Sequence, residues 1–226
     1  MISPDDVRVR VLLVDDEPLI RSGFRFVLAA DPSIEVVGEA SDGAEAIEAV
    51  RARRPDVVLM DVRMPVMDGP AATAVIVAET DARVLAMTSL DAEGQLVRML
   101  FAGAIGYLLK DEAPARIIDA VRRTAHGESV FSAQSTAHLV RLAVQDEGGR
   151  GRERALERIV PLTDRERDVA ARVASGDTNQ QIGAALHIAP STVKAHLEQV
   201  FAKLGVRNRV QVGVILERAG LGPTDV

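Results

Sequence analysis

The feature that most constrains this chain is a change of period along its first half. Short apolar runs of strand length occur at Val9–Val14, Ile34–Val37, Val57–Met60, Val84–Met87 and Ile105–Leu109. Between them the apolar residues recur at helical spacing. Ile20, Phe24, Val27 and Leu28 fall on one helical face; Ala46, Ile47, Ala49 and Val50 follow Gly43; Leu96, Met99 and Leu100 precede Gly103. After the fifth run, "PARIIDAVRRTA" offers a last helix with Pro114 in its first turn. Strands alternating with helices predict a doubly wound α/β domain. The runs are continuously apolar rather than alternating, which predicts a parallel sheet covered on both faces.

In such a sheet, function collects where the strands end at their carboxyl termini. The first run ends in Asp15, Asp16 and Glu17, the third in Asp61, the fourth in Thr88 and Ser89, and the fifth in Lys110. Of 27 basic residues only Lys110, Lys194 and Lys203 are lysine, so a lysine at this rim is a notable choice. Close carboxylates repel unless a cation compensates them. Oxygen ligands with room for water suit Mg²⁺, which could hold a phosphate donor against Asp61 as a carboxylate nucleophile. Lys110 and Thr88 would then supply a charge and a hydroxyl to the phosphoryl oxygens. Each residue alone has a plainer reading, as a cap, a turn former or a solvated charge.

From about Ser132 the pattern changes. Gln134–Val144 reads as a helix and "QDEGGRGRER", Gly-rich and without periodicity, as a flexible linker. Beyond it every segment reads as helix. Charge changes too: residues 1–130 carry 14 basic and 22 acidic side chains, 131–154 carry 4 and 3, and 155–226 carry 9 and 8. An acidic half joined to a nearly neutral one predicts two units with different partners. The expected organisation is therefore 1–130, a helix and linker over 131–154, and an all-helical unit over 155–226. The absence of cysteine removes disulfides and thiolate chemistry. The opening "MISPDDVRVRVLLVDD" lacks the basic start and apolar core of a signal peptide, and no apolar run reaches the length of a membrane span. A soluble cytoplasmic protein without a membrane partner is expected.

The segments "LLVDDE", "LMDVRMPVMDG", "MTS" and "GYLLKD" together resemble the receiver domain of bacterial two-component response regulators. The resemblance spans roughly residues 8–127 and implies a flavodoxin-like fold. It implies that Asp61 is the phosphoacceptor, that Asp15, Asp16, Asp61 and the backbone carbonyl of Arg63 hold Mg²⁺, and that Thr88 and Lys110 contact the phosphoryl group. Tyr107 matches the aromatic switch. Arg63 and Leu90 stand at positions that vary among members. The chemistry implied is self-phosphorylation and slow autodephosphorylation rather than turnover of a separate substrate.

The C-terminal unit has its own signals. Thr163 and Glu166 form a capping-box pattern, Gly176 ends the first helix, Asn179–Leu186 reads as a second, and Pro190 opens a third. On the third, Val193, Leu197, Val200, Phe201 and Leu204 share one stripe, leaving Lys194, Ala195 and Glu198 outward. Such an arrangement fits a helix-turn-helix entering a major groove, and equally an ordinary amphipathic surface helix. The segments "LTDRE", "ASGDTNQQI", "STVKAH" and "KLGVRNR" resemble the LuxR-type DNA-binding domain of the NarL/FixJ response regulators. That resemblance implies double-stranded DNA as partner, with Lys194, Ala195 and Glu198 facing the groove and Thr178, Asn179, Thr192 and Arg209 near phosphates. His196 matches a family histidine and is expected to pack or hydrogen-bond. Two departures stand out: Ala189 replaces the usual capping serine, and Glu198 is acidic where a basic or amide residue would be easier to understand. The last helix, with Val210, Val214 and Glu217 on one face, is implied to pair two copies on two half-sites; packing that only completes the core is the plainer reading.

The expectation is a regulator that a sensor histidine kinase phosphorylates on Asp61, switching dimerisation and DNA binding. Two rivals remain. A Mg²⁺-dependent aspartyl phosphatase usually carries a second acid two residues after its nucleophile, where this chain has Arg63. A phosphorylation-independent DNA-binding protein would use the first unit as a fixed dimerisation module.

Overall fold

The alternating periods resolve into β1 (Val9–Val14), α1 (Pro18–Leu28), β2 (Ile34–Ala40), α2 (Gly43–Arg53), β3 (Val57–Asp61), α3 (Gly69–Glu79), β4 (Arg83–Thr88), α4 (Glu93–Ala102), β5 (Gly106–Leu109) and α5 (Pro114–Ala125). This computed structural model describes residues 8–88, 93–131, 136, 139, 140 and 151–221. Ser89, Leu90, most of Gln134–Val144 and 145–150 of the expected linker lie outside them. The strands form one parallel sheet in the order β2-β1-β3-β4-β5. The chain therefore winds outward in both directions from β1 and β3, and their carboxyl ends form the switch point of the sheet.

Burial explains the continuous apolar runs. Val11–Val14, Val57–Met60 and Val84–Met87 are all buried, because helices cover both faces. β2 runs to Ala40, three residues beyond Val37. A bulge between Val11 and Leu12 shifts its register, so that Leu12 pairs with Gly38. β3 runs one residue further than its apolar stretch and includes Asp61, which pairs with Met87. The sheet thus delivers the carboxylate from a strand end still paired with β4. The outer edge of β5 is met by Val130, which bridges Gly106; a Cβ on Gly106 would come within 2.9 Å of the Val130 backbone. That contact covers an otherwise open edge.

The chain divides into compact units at 1–130 and 131–226. In the second, Thr136, Leu139 and Val140 are helical. They precede α6 (Gly151–Ile159), α7 (Asp164–Ala174), α8 (Asn179–Leu186), α9 (Pro190–Leu204) and α10 (Arg209–Arg218). The start of α6 corrects the sequence reading, since residues 151–154 of the expected linker are helical. Gly151 at its first residue weakens the local helical signal, and tertiary packing overrides it: Ala155 and Ile159 join the core of this unit. α7 and α8 both open with complete capping boxes, Thr163 with Glu166 and Thr178 with Gln181. α9 starts at Ala189 and Pro190 with no side-chain cap, and ends at Gly205 in the left-handed region. Its buried residues are Val193, Leu197, Val200 and Leu204, with Phe201 partly buried, which is the stripe its periodicity predicts.

Candidate functional site

The carboxyl ends of β1, β3 and β5 bring charge together at one rim. Asp15 is fully buried, Asp61 is 5% exposed, and Asp16 is open to solvent. Carboxylate oxygens of all three lie within 4.8 Å of one another. The Lys110 ammonium reaches Asp15 at 2.8 Å, Asp61 at 3.1 Å and Glu17 at 3.8 Å. Lys110 is itself fixed by its backbone, whose N–H donates to the Thr88 carbonyl at 2.9 Å. Thr88 is buried at the end of β4, between β3 and β5. The Val62 N–H donates to Asp61 Oδ1 at 2.8 Å, and the Glu17 N–H donates to Asp15 Oδ1 at 2.9 Å.

The electrostatics follow from this packing. Burial pushes the Asp61 carboxyl above its ordinary value; Lys110 opposes that shift and the like charge of Asp15 adds to it. Burial also works against the Lys110 charge. Its hydrogen bond to Asp15 and the charge of Asp61 outweigh that cost, and Lys110 is held above its ordinary value. One cation shared between two carboxylates leaves the cluster net negative. The donors are all oxygen and Asp16 faces water, so the set fits a hydrated Mg²⁺.

Two glycines that the sequence reading passed over permit close backbone approaches, one at the rim and one at the start of β5. A Cβ on Gly69 would lie 2.1 Å from the Asp61 carbonyl oxygen, so α3 can begin this close to the strand end only with glycine. The Asp68-Gly69 pair was the available signal, since Asp68 caps α3 by accepting from the Ala71 N–H. Gly106 plays the matching part at β5, where the Tyr107 N–H donates to the Val130 carbonyl at 3.3 Å. Tyr107 itself is half-buried. In the loop after Asp61, Val66 is 89% exposed and holds φ 62°, a left-handed conformation that a β-branched residue rarely adopts. Arg63 is exposed.

In the second unit α8 and α9 meet in a tight turn, and Gly183 of α8 allows it: a Cβ there would fall 2.7 Å from the Ile188 carbonyl. Ser191, Thr192, Ala195 and Glu198 of α9 are exposed, while Lys194 and His196 are half-exposed. The surface left by the buried stripe is the one expected to face a groove.

Comparisons with known proteins agree with both units. Residues 11–122 match the response regulator receiver domain, and residues 160–216 match the luxR family of bacterial regulatory proteins. The probable transcriptional regulatory protein NarL of Mycobacterium tuberculosis is 40% identical over 210 residues, covering 92% of this chain and 94% of that protein. The chain belongs to the LuxR-type response regulators. The nitrate/nitrite response regulator protein NarP of Escherichia coli is 36% identical over 218 residues, covering 94% of this chain and 96% of that one. Among solved structures, the response regulator ChrA of a heme-sensing two-component system is 32% identical, with a TM-score of 0.53, and covers 95% of this chain. That match covers 99% of ChrA. This response regulator thus joins a receiver to a helix-turn-helix DNA-binding domain, the architecture of a transcriptional regulator in a two-component system. Receiver domains bind Mg²⁺ through an acidic cluster such as Asp15, Asp16 and Asp61. Among the described residues, no helix is long and apolar enough to cross a membrane.

The fold treats three groups of the expected DNA-contact and pairing residues differently. Arg209 is only 8% exposed, and its guanidinium donates to the Asp177 carbonyl; burial lowers its pKa to about 10. It braces the turn between α7 and α8 and is not presented to a phosphate. Val210 and Val214 are 0% and 1% exposed, so the face of α10 expected to pair with another copy is covered within this chain. Glu217, on the same face, is half-exposed. Thr178 spends its hydroxyl on capping α8, and Asn179 keeps a buried Oδ1 that finds no hydrogen-bond partner.

Proposed function

We propose that this response regulator accepts a phosphoryl group on Asp61 from a sensor histidine kinase and then dimerises to bind two DNA half-sites. The observation that carries the reading is the Lys110 ammonium held 2.8 Å from Asp15 and 3.1 Å from Asp61 at a rim that Thr88 completes. An Asp61 oxygen attacks the phosphorus, the bond from phosphorus to the kinase histidine nitrogen breaks, and that nitrogen regains its electron pair. Asp15, Asp16, Asp61 and the Arg63 carbonyl would hold Mg²⁺, which supplies charge neutralisation to the phosphoryl oxygens. Lys110 pairs with the new phosphoryl charge, and the Thr88 hydroxyl turns toward it. Tyr107 then moves into the space Thr88 leaves, a local charge change read by a two-state element. Leu19 and Phe26, exposed at 82% and 83% on α1, offer the kinase an apolar surface.

At the other end, Lys194, Ala195 and Glu198 of α9 read base edges while Thr178, Asn179 and Thr192 position the backbone. Dimer contact falls to the α10 face of Val210, Val214 and Glu217 once that face is uncovered. Residues 1–130 serve as the receiver and the helices from α6 onward as the effector, joined through 131–150.

The test is intact-protein mass and oligomeric state in Mg²⁺ before and after acetyl phosphate, with Asp61→Ala alongside. Gain of one phosphoryl group only with Asp61 present, and a shift toward dimer, is the expected result. If neither acetyl phosphate nor a histidine kinase labels the chain, the phosphoacceptor reading fails and the fixed dimerisation module replaces it.

A further inference from the structure

The last helix is buried on two opposite sides, and only one of them belongs to the domain's own core. At about 100° per residue, Val212, Ile215, Leu216 and Ala219 fall on one side of α10, and all four belong to the core built with α6, α7 and α9. Val210, Gly213, Val214 and Glu217 fall on the other side. A helix at the outside of a small bundle needs only one buried stripe. Val210 and Val214 are nevertheless almost wholly buried. At Gly213 the neighbour on this second side is shown by the packing: a Cβ there would meet Val140 Cγ2 at 2.6 Å, tighter than atoms pack, with the Ala174 backbone of α7 next at 3.5 Å. Val140 and Leu139 are themselves 3% and 2% exposed, and Thr136, one turn earlier, is fully buried. The helical residues ahead of α6 are therefore seated on the second face of α10, with glycine at the point of closest approach.

We infer that this segment is a built-in cover for the α10 face, and that a second copy of the chain can use the face only after the segment leaves it. The inference rests on the proposed dimerisation through α10 and adds how that contact is held off. The cover is tied to the receiver at its other end. Val130 bridges Gly106 and accepts from the Tyr107 N–H at 3.3 Å, so the chain leaving β5's edge begins at the residue beside the switch tyrosine. Movement of Tyr107 acts on Val130, and the same continuous chain carries Thr136, Leu139 and Val140. Phosphorylation and exposure of α10 are linked through this segment without any change within the core stripe of the helix.

The absence of native cysteine allows a clean test in the full-length chain. Glu217→Cys places a thiol at the half-exposed end of the face, and a short bismaleimide reports whether two such faces meet. With Asp61→Ala preventing phosphorylation, the cross-linked fraction is expected to rise roughly five- to hundredfold when Val140→Asp expels the segment. Gly213→Ala is the second variant; its single methyl displaces Val140 while improving the helix propensity of α10. If both variants stay at the unphosphorylated baseline while the phosphorylated parent with Glu217→Cys cross-links, the cover is disproved and dimerisation through α10 survives. If the phosphorylated parent dimerises in solution but does not cross-link, the α10 reading itself falls, and the cover with it.

Discussion

The phosphoacceptor rim and the recognition helix place their functional residues in opposite ways. At the rim Asp15, Asp61, Thr88 and Lys110 are buried or nearly so and are held at ends of paired strands; the ion pairs of Lys110 with Asp15 and Asp61 lie near 3 Å. On α9 the residues facing outward stand on a helix placed by its buried stripe of Val193, Leu197, Val200 and Leu204. A buried charge cluster must satisfy itself internally, so its members constrain one another in type and position. Outward residues on a groove-reading helix answer to a ligand, and the fold tolerates almost any of them. That is why an acid such as Glu198 can stand there without structural penalty, whereas Asp15 and Asp61 stand together with Lys110 between them.

This contrast can be broken most forcefully at Gly69. Gly69→Ala sets a methyl 2.1 Å from the Asp61 carbonyl, and the obstacle is backbone rather than a movable side chain. The receiver should lose about 3 kcal/mol or more, while the DNA-binding domain keeps its own transition. Thermal unfolding of the full chain, followed with probes in each unit, checks this; equal loss in both units would mean that their stabilities are coupled.

The nearest counterpart to the rim in the second unit is Glu166. It is buried, accepts from Lys203 at 2.6 and 2.8 Å, and closes the capping box of α7. The Lys203 hydrogen bonds hold its carboxyl below the ordinary 4.5, against the effect of burial. A lowered folded value means stability that is present above the unfolded value and lost as pH falls through the folded one. Glu166→Gln keeps the box, since glutamine also reaches the cap N–H, and removes only the charge. The expected cost near neutral pH is about 1.5–3 kcal/mol. Denaturant titration of the two proteins should show that cost shrinking below pH 4.5.

How much of this was legible follows the same division. The parallel sheet, Asp15, Asp61, Thr88 and Lys110 were readable because strand ends and a scarce lysine announce convergence before any coordinate is known. The capping boxes at Thr163 and Thr178 and the α9 stripe were readable from local spacing alone. Arg209 misled because its role came from the resemblance alone, and only the fold shows its guanidinium turned back to the Asp177 carbonyl. Val210 and Val214 were legible as one face of α10, but periodicity gives the face of a helix and not what covers it. Residues 151–154 read as linker because glycine and charge mask a helix whose support comes from Ala155 and Ile159 further on.

Val66 tests whether the loop beside the rim is held in place at a cost. Its φ of 62° belongs to the region where strain is of order 1–3 kcal/mol, and its side chain, 89% exposed, gains little burial in return. Glycine would remove the strain but gives back about 0.5–1 kcal/mol of chain entropy. Val66→Gly should therefore stabilise the receiver by about 1 kcal/mol, read as a higher denaturant midpoint with an unchanged slope.

The smallest effect sharpens the comparison most, because it concerns the functional carboxylate itself. Asp61 has its folded pKa raised above the ordinary 3.8 by burial, with Asp15 adding to the shift and Lys110 only partly offsetting it. An acid raised in the folded state costs no stability at pH values below 3.8, where both states are protonated, and penalises the fold progressively as pH rises through the folded value. Asp61→Asn removes that penalty while keeping the shape. At pH 7 the variant should melt a few degrees higher, the scale on which about 1 kcal/mol shows in a domain of this size. The gap should close as pH falls toward 3.8. Mg²⁺ should narrow it from the other side by stabilising the parent more than the variant. A variant less stable at pH 7 would mean that the Lys110 attraction outweighs the burial of Asp61, and that the rim is a stabilising ion-pair cluster. In Glu166 the pairing wins over burial and stabilises; in Asp61 burial wins, and the site carries a cost that a phosphoryl group and a metal ion can relieve.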